Sequence, residues 1–453
     1  MPDLNRRNKW TFGVGTVGRD MVYGLVSIYL VVFLTEAMEL TDQQLWTVSA
    51  LVLGARLIDA FLDVGMGGIV DNTRTRWGHY KPWILVGALS SAVFTVLLFT
   101  DLQLSGGAWV AVFAIIYLGW SLSWTANDIP YWSMLPALTL DQKEREKYGS
   151  LAKVFATIGL FAVVVAVIPV TGALTPIFGP VGAWTVFAAA VVVVLLLGQA
   201  VTLFGVREPA IVVESERTSM RELLRAVFGN DQLLWTAVSM VLFMTGYVTT
   251  TSFGVYFFKY VYGDEGMYAP FAAVLGVGQL LGFAVFPAVS KLAPRRRLYG
   301  IATAVILVGY VIFFFSPMNM IWIGISGLLM FFGQSFVVLL MLVFLTDTIE
   351  YGQWKLGRRN GSVTFAVQPF INKVGGALAT WIVSVAAIIS GINTAQSPAD
   401  MTPQGLLTIK IFMLVLPPIL IVIGYVVYRA KYRIDEAFHA EMVAELKDRG
   451  QVL

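Results

Sequence analysis

Eight ionisable side chains lie inside stretches of sequence that are otherwise apolar: Asp20, Asp59, Asp63 and Asp128, with Arg19, Arg56, Lys153 and Lys373. Asp59 and Asp63 are four residues apart, which on a helix sets them about 40° apart on one face. Arg56 stands one turn ahead of them on that face. Two carboxylates this close resist being ionised together, so a bound Na⁺, a proton or a cationic side chain must accompany them. The pair has the chemistry of a cation site. Asp128 has Trp124, Thr125 and Trp132 within about one helical turn. A carboxylate accepts hydrogen bonds from two hydroxyls at once, and an indole covers the apolar face of a saturated ring. Aromatic residues at helical spacing usually serve packing, but beside an intramembrane aspartate they suit a neutral polyhydroxylated ligand. Asp20 has Thr16 and Tyr23 on its own face, which add hydroxyls. Lys373, midway along INKVGGALA, demands a carboxylate partner, and Asp59 and Asp63 are the available candidates. Gly375 and Gly376 beside it permit close helix approach.

The elements that position these groups are membrane-spanning. Apolar residues make up 57% of the 453-residue chain and charged residues 13%, against about 25% charged in a soluble domain. Runs of the ~20 residues that a helix needs to cross a bilayer fall near 10–34, 43–70, 80–100, 107–134, 150–171, 180–205, 233–260, 267–292, 298–316, 319–346, 362–390 and 406–429. That makes twelve transmembrane helices in an all-α membrane protein, since lipid offers the backbone no partners and a barrel would show short alternating segments. At membrane depth each charge costs about 2.5–3.5 kcal/mol on insertion scales. Eight of them therefore imply a buried polar cavity, with some acting as structural ion pairs between helices.

Lysine and arginine set the expected orientation. Arg6, Arg7 and Lys9, then Arg74, Arg76 and Lys81, then Lys143, Arg145 and Lys147 mark one set of connections. Arg207 to Arg225, Lys291 to Arg297, Lys355 to Arg359 and the tail from Arg429 continue it. The alternate connections carry Glu36, Glu39, Asp42, Asp101, Asp264, Glu265 and Asp400 instead. Positive residues stay inside, so both termini are expected in the cytoplasm. The longest polar interval, 206–232, divides the chain into an amino-terminal six-helix bundle (1–205) and a carboxy-terminal one (233–429), followed by a tail (430–453). Within the linker, Glu214 to Arg225 suggest a short surface helix. In the tail, Ile434, Phe438, Met442 and Leu446 recur every four residues among charges, the pattern of an amphipathic helix. Two six-helix bundles joined by a central linker is the layout of the major facilitator fold.

Several chemistries have no support. Cysteine is absent and histidine is limited to His79 and His439, which disfavours disulfides, thiolate catalysis and imidazole metal centres. The first nine residues lack the pattern of a removable signal peptide. Gly13 to Gly18, GVGTVG, matches a dinucleotide fingerprint but follows no strand, so helix packing is its expected role. Asn360-Gly-Ser is a glycosylation sequon on the face expected to be cytoplasmic and should stay unmodified. No cofactor, resident metal, nucleic acid or obligate protein partner is expected; the surroundings are the lipid bilayer.

Three long segments carry a family resemblance. ARLIDAFLDVGMGGIVDNTRTRWGHYKPW (Arg56 to Trp83), NDIPYWSMLPALTLDQKERE (Asn127 to Glu146) and FLTDTIEYGQWKLGRRNG (Phe344 to Gly361) stand in order. Together they resemble the glycoside–pentoside–hexuronide:cation symporters, a branch of the major facilitator superfamily, over essentially the whole chain. The resemblance implies symport of a glycoside, such as a galactoside or another di- or oligosaccharide, with a cation across a bacterial cytoplasmic membrane. By resemblance Asp59, Asp63 and Thr125 form the cation site, and Lys373 is associated with coupling. Asp20, Asp128 and Trp132 contact sugar. Arg19 stands where melibiose-carrying members have lysine, and Lys153 where they have arginine. Trp124 and Tyr23 complete the expected substrate set, and Arg56, Glu350 and Arg358 are expected to pair helices or gate. Pro369 replaces a threonine near the sugar site, and Arg358 and Gly361 replace a histidine and a glutamate of lactose-carrying members. Leu62 stands where a family asparagine is associated with Na⁺ use. Asp59, Asp63 and Thr125 still offer oxygens to Na⁺, but a proton needs one carboxylate, so H⁺ is favoured. A pentoside, a hexuronide or another cargo on the same fold is the alternative; an acidic cargo would call for more cavity arginines. A membrane-embedded enzyme acting on a lipid-linked sugar would need a nucleophile, a metal or a soluble domain, and none is visible.

Overall fold

The computed structural model describes residues 2–138, 142–207, 228–356, 361–395 and 397–448. Within them the chain is helical; an isolated bridge between Thr75 and Gly78 is the one β-type pairing. In order the helices are α1 (Pro2–Val14), α2 (Thr16–Val32), α3 (Asp42–Asn72), α4 (Lys81–Leu98), α5 (Gly106–Leu138), α6 (Gln142–Gly205) and α7 (Asp231–Tyr256). There follow α8 (Tyr268–Val289), α9 (Arg295–Phe315), α10 (Met320–Leu356), α11 (Gly361–Ser390), α12 (Pro403–Leu414), α13 (Leu416–Lys431) and α14 (Glu436–Asp448).

Among the described residues ten stretches are long and apolar enough to cross a membrane. One of them, Lys147–Gly205, runs 59 residues. It breaks at Gly179 (φ 74°, ψ 171°) between Pro176 and Pro180. A side chain is strained at that φ, and the second proline has no amide to continue the ladder, so the stretch makes two crossings. Helix α3, 31 residues long, is likewise long enough to cross, with Arg56, Asp59 and Asp63 set in its apolar run. Counting both gives the twelve crossings expected from the apolar runs. The runs end early where helices outlast the hydrocarbon: α5 continues to Leu138 and α10 to Leu356.

Packing divides the chain into two compact units. The first comprises Met1–Arg217, Phe258–Ala273 and Thr380–Leu406; the second comprises Thr218–Phe257, Val274–Ala379 and Leu407–Leu453. The grouping places the adjoining ends of four later crossings, α7 with α8 and α11 with α12, with the amino-terminal helices. The surface helix expected in the linker falls on residues 208–227, and Arg358 and Asn360 on 357–360, all outside the described residues.

In the first unit small residues set the helix approach, as expected where lipid removes any hydrophobic drive between helices. A methyl group at Gly18 would lie 2.4 Å from the Leu195 backbone, and one at Gly87 would lie 2.4 Å from the Asn127 amide. GVGTVG is thus a packing surface, as anticipated. Phe12, Ile84, Tyr131, Met134, Tyr148, Ala152 and Val206 form a buried cluster where α1, α4, α5 and α6 meet. Helix α2 ends in a π-helical stretch, Phe33–Ala37, and α7 in another, Phe257–Tyr262. Such widened turns re-aim the side chains that follow them. Here, within the first unit, Lys259 pairs with Glu36, and the Tyr260 hydroxyl donates to the same carboxylate at 2.9 Å. The hydroxyls of Tyr29 and Tyr268 meet 3.0 Å apart nearby.

The second unit closes on an aromatic column. Tyr428 packs on Phe344 (4.6 Å between centroids), Tyr299 and Tyr432 (both 4.8 Å). Gly375 in α11 lies against α7, where an added methyl would meet Met244 at 2.7 Å, so the glycine does permit close approach. The amphipathic tail forms as α14: Ile434, Met442 and Leu446 are buried, and Phe438 meets the rings of Tyr351 and Trp354.

Candidate functional site

The acids of α3 and the hydroxyl of α5 converge. Thr125 Oγ1 is 2.9 Å from Asp59 Oδ1 and 3.0 Å from Asp63 Oδ1. Asp59 and Thr125 are buried and Asp63 half-buried, so three residues from two helices form one oxygen cluster. Arg56 is buried one turn away. Its Nε donates to the Tyr117 hydroxyl at 3.0 Å and its Nη2 to Ser27 Oγ at 3.3 Å. It therefore ties α3 to α5 and α2, a helix-pairing role. Leu62 is 39% exposed and brings no oxygen to the cluster.

Beside this cluster, in the same unit, Arg19 of α2 pairs with Asp128 of α5. The guanidinium lies 4.0 Å from the Tyr131 ring, 5.6 Å from Trp124 and 5.9 Å from Trp132. Asp20 is within electrostatic reach of Arg19, Lys153 and Asp128. Lys153 is exposed, with Nζ 5.1 Å from the Trp132 ring centre. The two tryptophans separate in character. Trp132 is half-buried, whereas Trp124 is buried at the end of a ladder of rings. That ladder runs Trp109, Phe113, Tyr117, Trp120, Trp124 along α5, with centroids 5.3–6.1 Å apart. Tyr23 is half-buried with its ring 5.6 Å from Trp124. Thr16, read from the sequence as a hydroxyl for a ligand, is used otherwise. It is fully buried and bonds the carbonyls of Gly13 (2.7 Å) and Ala152 (2.9 Å), locking α2 onto α6.

Of the remaining expected residues, Lys373 is half-buried in α11 in the second unit. Glu350, near the end of α10, contacts His439 of α14. Asp347, Glu350 and His439 have ligating atoms within 4.8 Å of one another, the geometry of a metal centre. Asp347, however, already accepts two bonds from Arg295 Nη1 (2.7 and 2.8 Å) and one from the Tyr432 hydroxyl (3.1 Å). Those donors, with Trp354 Nε1 donating to Glu445 at 2.9 Å, dock the tail on α10 and α9. Sequence reasoning did not find Asn127, Gln199, Lys259 or Tyr260. A lone glutamine within VVVVLLLGQAVTLF was the available signal for Gln199, since an amide in lipid must find partners.

The helices long and apolar enough to cross a membrane, with intramembrane acids on α2, α3 and α5, are those of a multi-pass membrane protein of the major facilitator fold. Residues 11–436 match the family model described as MFS/sugar transport protein, and the chain belongs to that family. It is 32% identical to a lactose permease of Lactobacillus helveticus, over 97% of this chain and 71% of that one. It is 31% identical to a raffinose carrier protein of Pediococcus pentosaceus (96% and 70%) and 27% identical to an isoprimeverose transporter of Lactiplantibacillus pentosus (86% and 82%). Among solved structures, a bacterial homologue of the human lysosomal transporter Spinster superposes with TM-score 0.66 at 13% identity, covering 95% of this chain and 97% of that one. The nucleoside transporter NupG gives 0.64 at 12% identity, covering 94% and 99%. These two likenesses concern the fold alone. The protein is a carrier of the cell membrane rather than an enzyme.

Proposed function

We propose that the protein is a glycoside:proton symporter working by alternating access, with both termini in the cytoplasm. The observation that carries the coupling is the Asp59–Thr125–Asp63 cluster. A threonine hydroxyl has one hydrogen to donate, yet its oxygen lies within 3.0 Å of an oxygen of each carboxylate. One hydrogen can be shared between the two carboxylates, and a carboxyl proton or a bound cation would relieve the repulsion of two acids held this close. The Asp128–Trp132–Asp20 group supports a neutral, polyhydroxylated cargo: a partly open carboxylate to accept from hydroxyls, and an indole face for a sugar ring. Relatives named for lactose, raffinose and isoprimeverose point to the same cargo class. Because α5 carries both Thr125 and Asp128, one helix links the two sites. Occupation of the acid cluster would then reach the sugar group through a rigid turn.

The coupling ion is tested by adding a galactoside or other accepted glycoside to de-energised cells in Na⁺-free buffer. Sugar entry is expected to make the medium alkaline. No proton uptake, together with sugar affinity that climbs steeply with added Na⁺, would assign the cluster to sodium instead.

Orientation is tested separately. Since the natural chain has no cysteine, single cysteines report cleanly. One at exposed Thr75 should react with an impermeant maleimide only from the cytoplasmic side, and ones at Asp101 or Ser397 only from outside. Labelling of Thr75 from outside would invert the topology.

A further inference from the structure

Gln199 takes part in neither the acid cluster nor the indole face, yet it is 1% exposed in the second lipid-crossing part of α6, within two turns of its end at Gly205. Its Nε2 donates to the Gly15 carbonyl at 3.0 Å, and its Oε1 accepts from Asn127 Nδ2 at 3.0 Å. Asn127 Nδ2 also donates to the Ile84 carbonyl at 2.8 Å. Asn127 Oδ1 accepts from Arg19 Nε at 2.8 Å, and Arg19 Nη2 pairs with Asp128 Oδ1. This buried chain joins α6, α4, α5 and α2. Its polarity is one-way: turning the Gln199 amide over would set NH₂ against NH₂ at Asn127 and oxygen against the Gly15 carbonyl. The flat guanidinium is held at Nε and Nη2 and on its face by the Tyr131 ring 4.0 Å away.

The consequence falls on Asp128. Arg19 is 1% exposed while the Asp128 side chain is 24% exposed, so the cation is buried and the acid is the partly open member of the pair. Arg19 takes Oδ1. No hydrogen bond from the described residues reaches Oδ2. We propose that Gln199 and Asn127 are positioning residues that act through Arg19, fixing Asp128 so that Oδ2, the oxygen Arg19 leaves open, is held in place to accept from one hydroxyl of the glycoside. Arg19 itself then orients the acid instead of binding sugar. This inference rests on the glycoside reading of the site and adds the device that selects the hydroxyl.

Lysine carries its three donors on one atom and lacks the planar fork, so it does not hold Asn127 and Asp128 in the fixed geometry that Nε and Nη2 impose. Gln199→Leu and Arg19→Lys therefore test the relay from opposite ends, and either variant suffices if the other fails to fold. The probes are the nitrophenyl glycoside that the wild-type protein binds best and its four monodeoxy derivatives, titrated calorimetrically in nanodiscs. In the wild type one deoxy derivative should lose about tenfold or more in affinity, the loss of one charge-assisted hydrogen bond. In both variants that penalty should shrink to within about threefold while the other penalties persist, a coupling that general loosening of the bundle would not produce. Maximal transport rate should change less than the Michaelis constant. A wild type that binds glycosides, with both variants keeping its deoxy-sugar profile, overturns the relay alone. A wild type that binds no glycoside overturns the functional reading and the relay with it.

Discussion

Asp59→Asn and Asp63→Asn are each expected to abolish sugar accumulation while leaving exchange of sugar across the membrane partly intact. An amide keeps the shape of the carboxylate and its bond to Thr125, but it neither takes up a proton nor carries the charge that a cation balances. Without differential binding of the ion, its gradient transmits no free energy to the sugar, and coupling is lost whatever the affinity. The inside-to-outside sugar ratio should fall to about one, the value for an uncoupled carrier. Radiolabelled uptake in energised vesicles, paired with counterflow in de-energised ones, reads the two quantities separately. Full accumulation in both variants would remove the cluster from the coupling mechanism. Loss of counterflow as well as accumulation would mean that the acids serve the sugar path directly.

Asp128→Ala should have the next largest effect, and on a different quantity. Removing the acid deletes a charge-assisted hydrogen bond to the sugar, worth about 1.5–3 kcal/mol, or roughly 10–150-fold in affinity. It also strands Arg19, buried at 1% exposure, without its counter-charge. Breaking such a pair typically costs about 3–5 kcal/mol of stability, so a lower melting temperature should accompany the lost binding. Trp132→Ala separates the two effects. It leaves the ion pair in place and removes the ring face, so all pyranosides should weaken by roughly two- to tenfold, near the 0.5–1.5 kcal/mol of an aromatic stack. Unchanged calorimetric affinities in a folded Asp128→Ala protein would move the sugar site elsewhere.

The architecture was legible because membrane insertion is a local property. Each crossing must be apolar over its own length, so twelve runs could be counted one by one, and even the break at Gly179 fell between two of them. The acid pair was equally legible: Asp59 and Asp63 share one helix, and a spacing of four residues fixes their proximity without any other information. The tail behaved likewise, with Ile434, Met442 and Leu446 buried on the face their periodicity marked.

What the sequence could not decide was which polar groups meet across helices. Thr16 and Thr125 are both threonines within a turn of an aspartate, yet one is spent on the carbonyls of Gly13 and Ala152 and the other on the acids of α3. Trp124 and Trp132 flank Asp128 alike in sequence, and only packing buries the first and leaves the second half-open. Gln199 and Arg19 are separated by 180 residues and are joined through Asn127. Helical spacing determines which side chains share a face of one helix. Rotation and approach of neighbouring helices, set here by glycines such as Gly18 and Gly87 against backbone, determine which faces meet, and that is where the site is made.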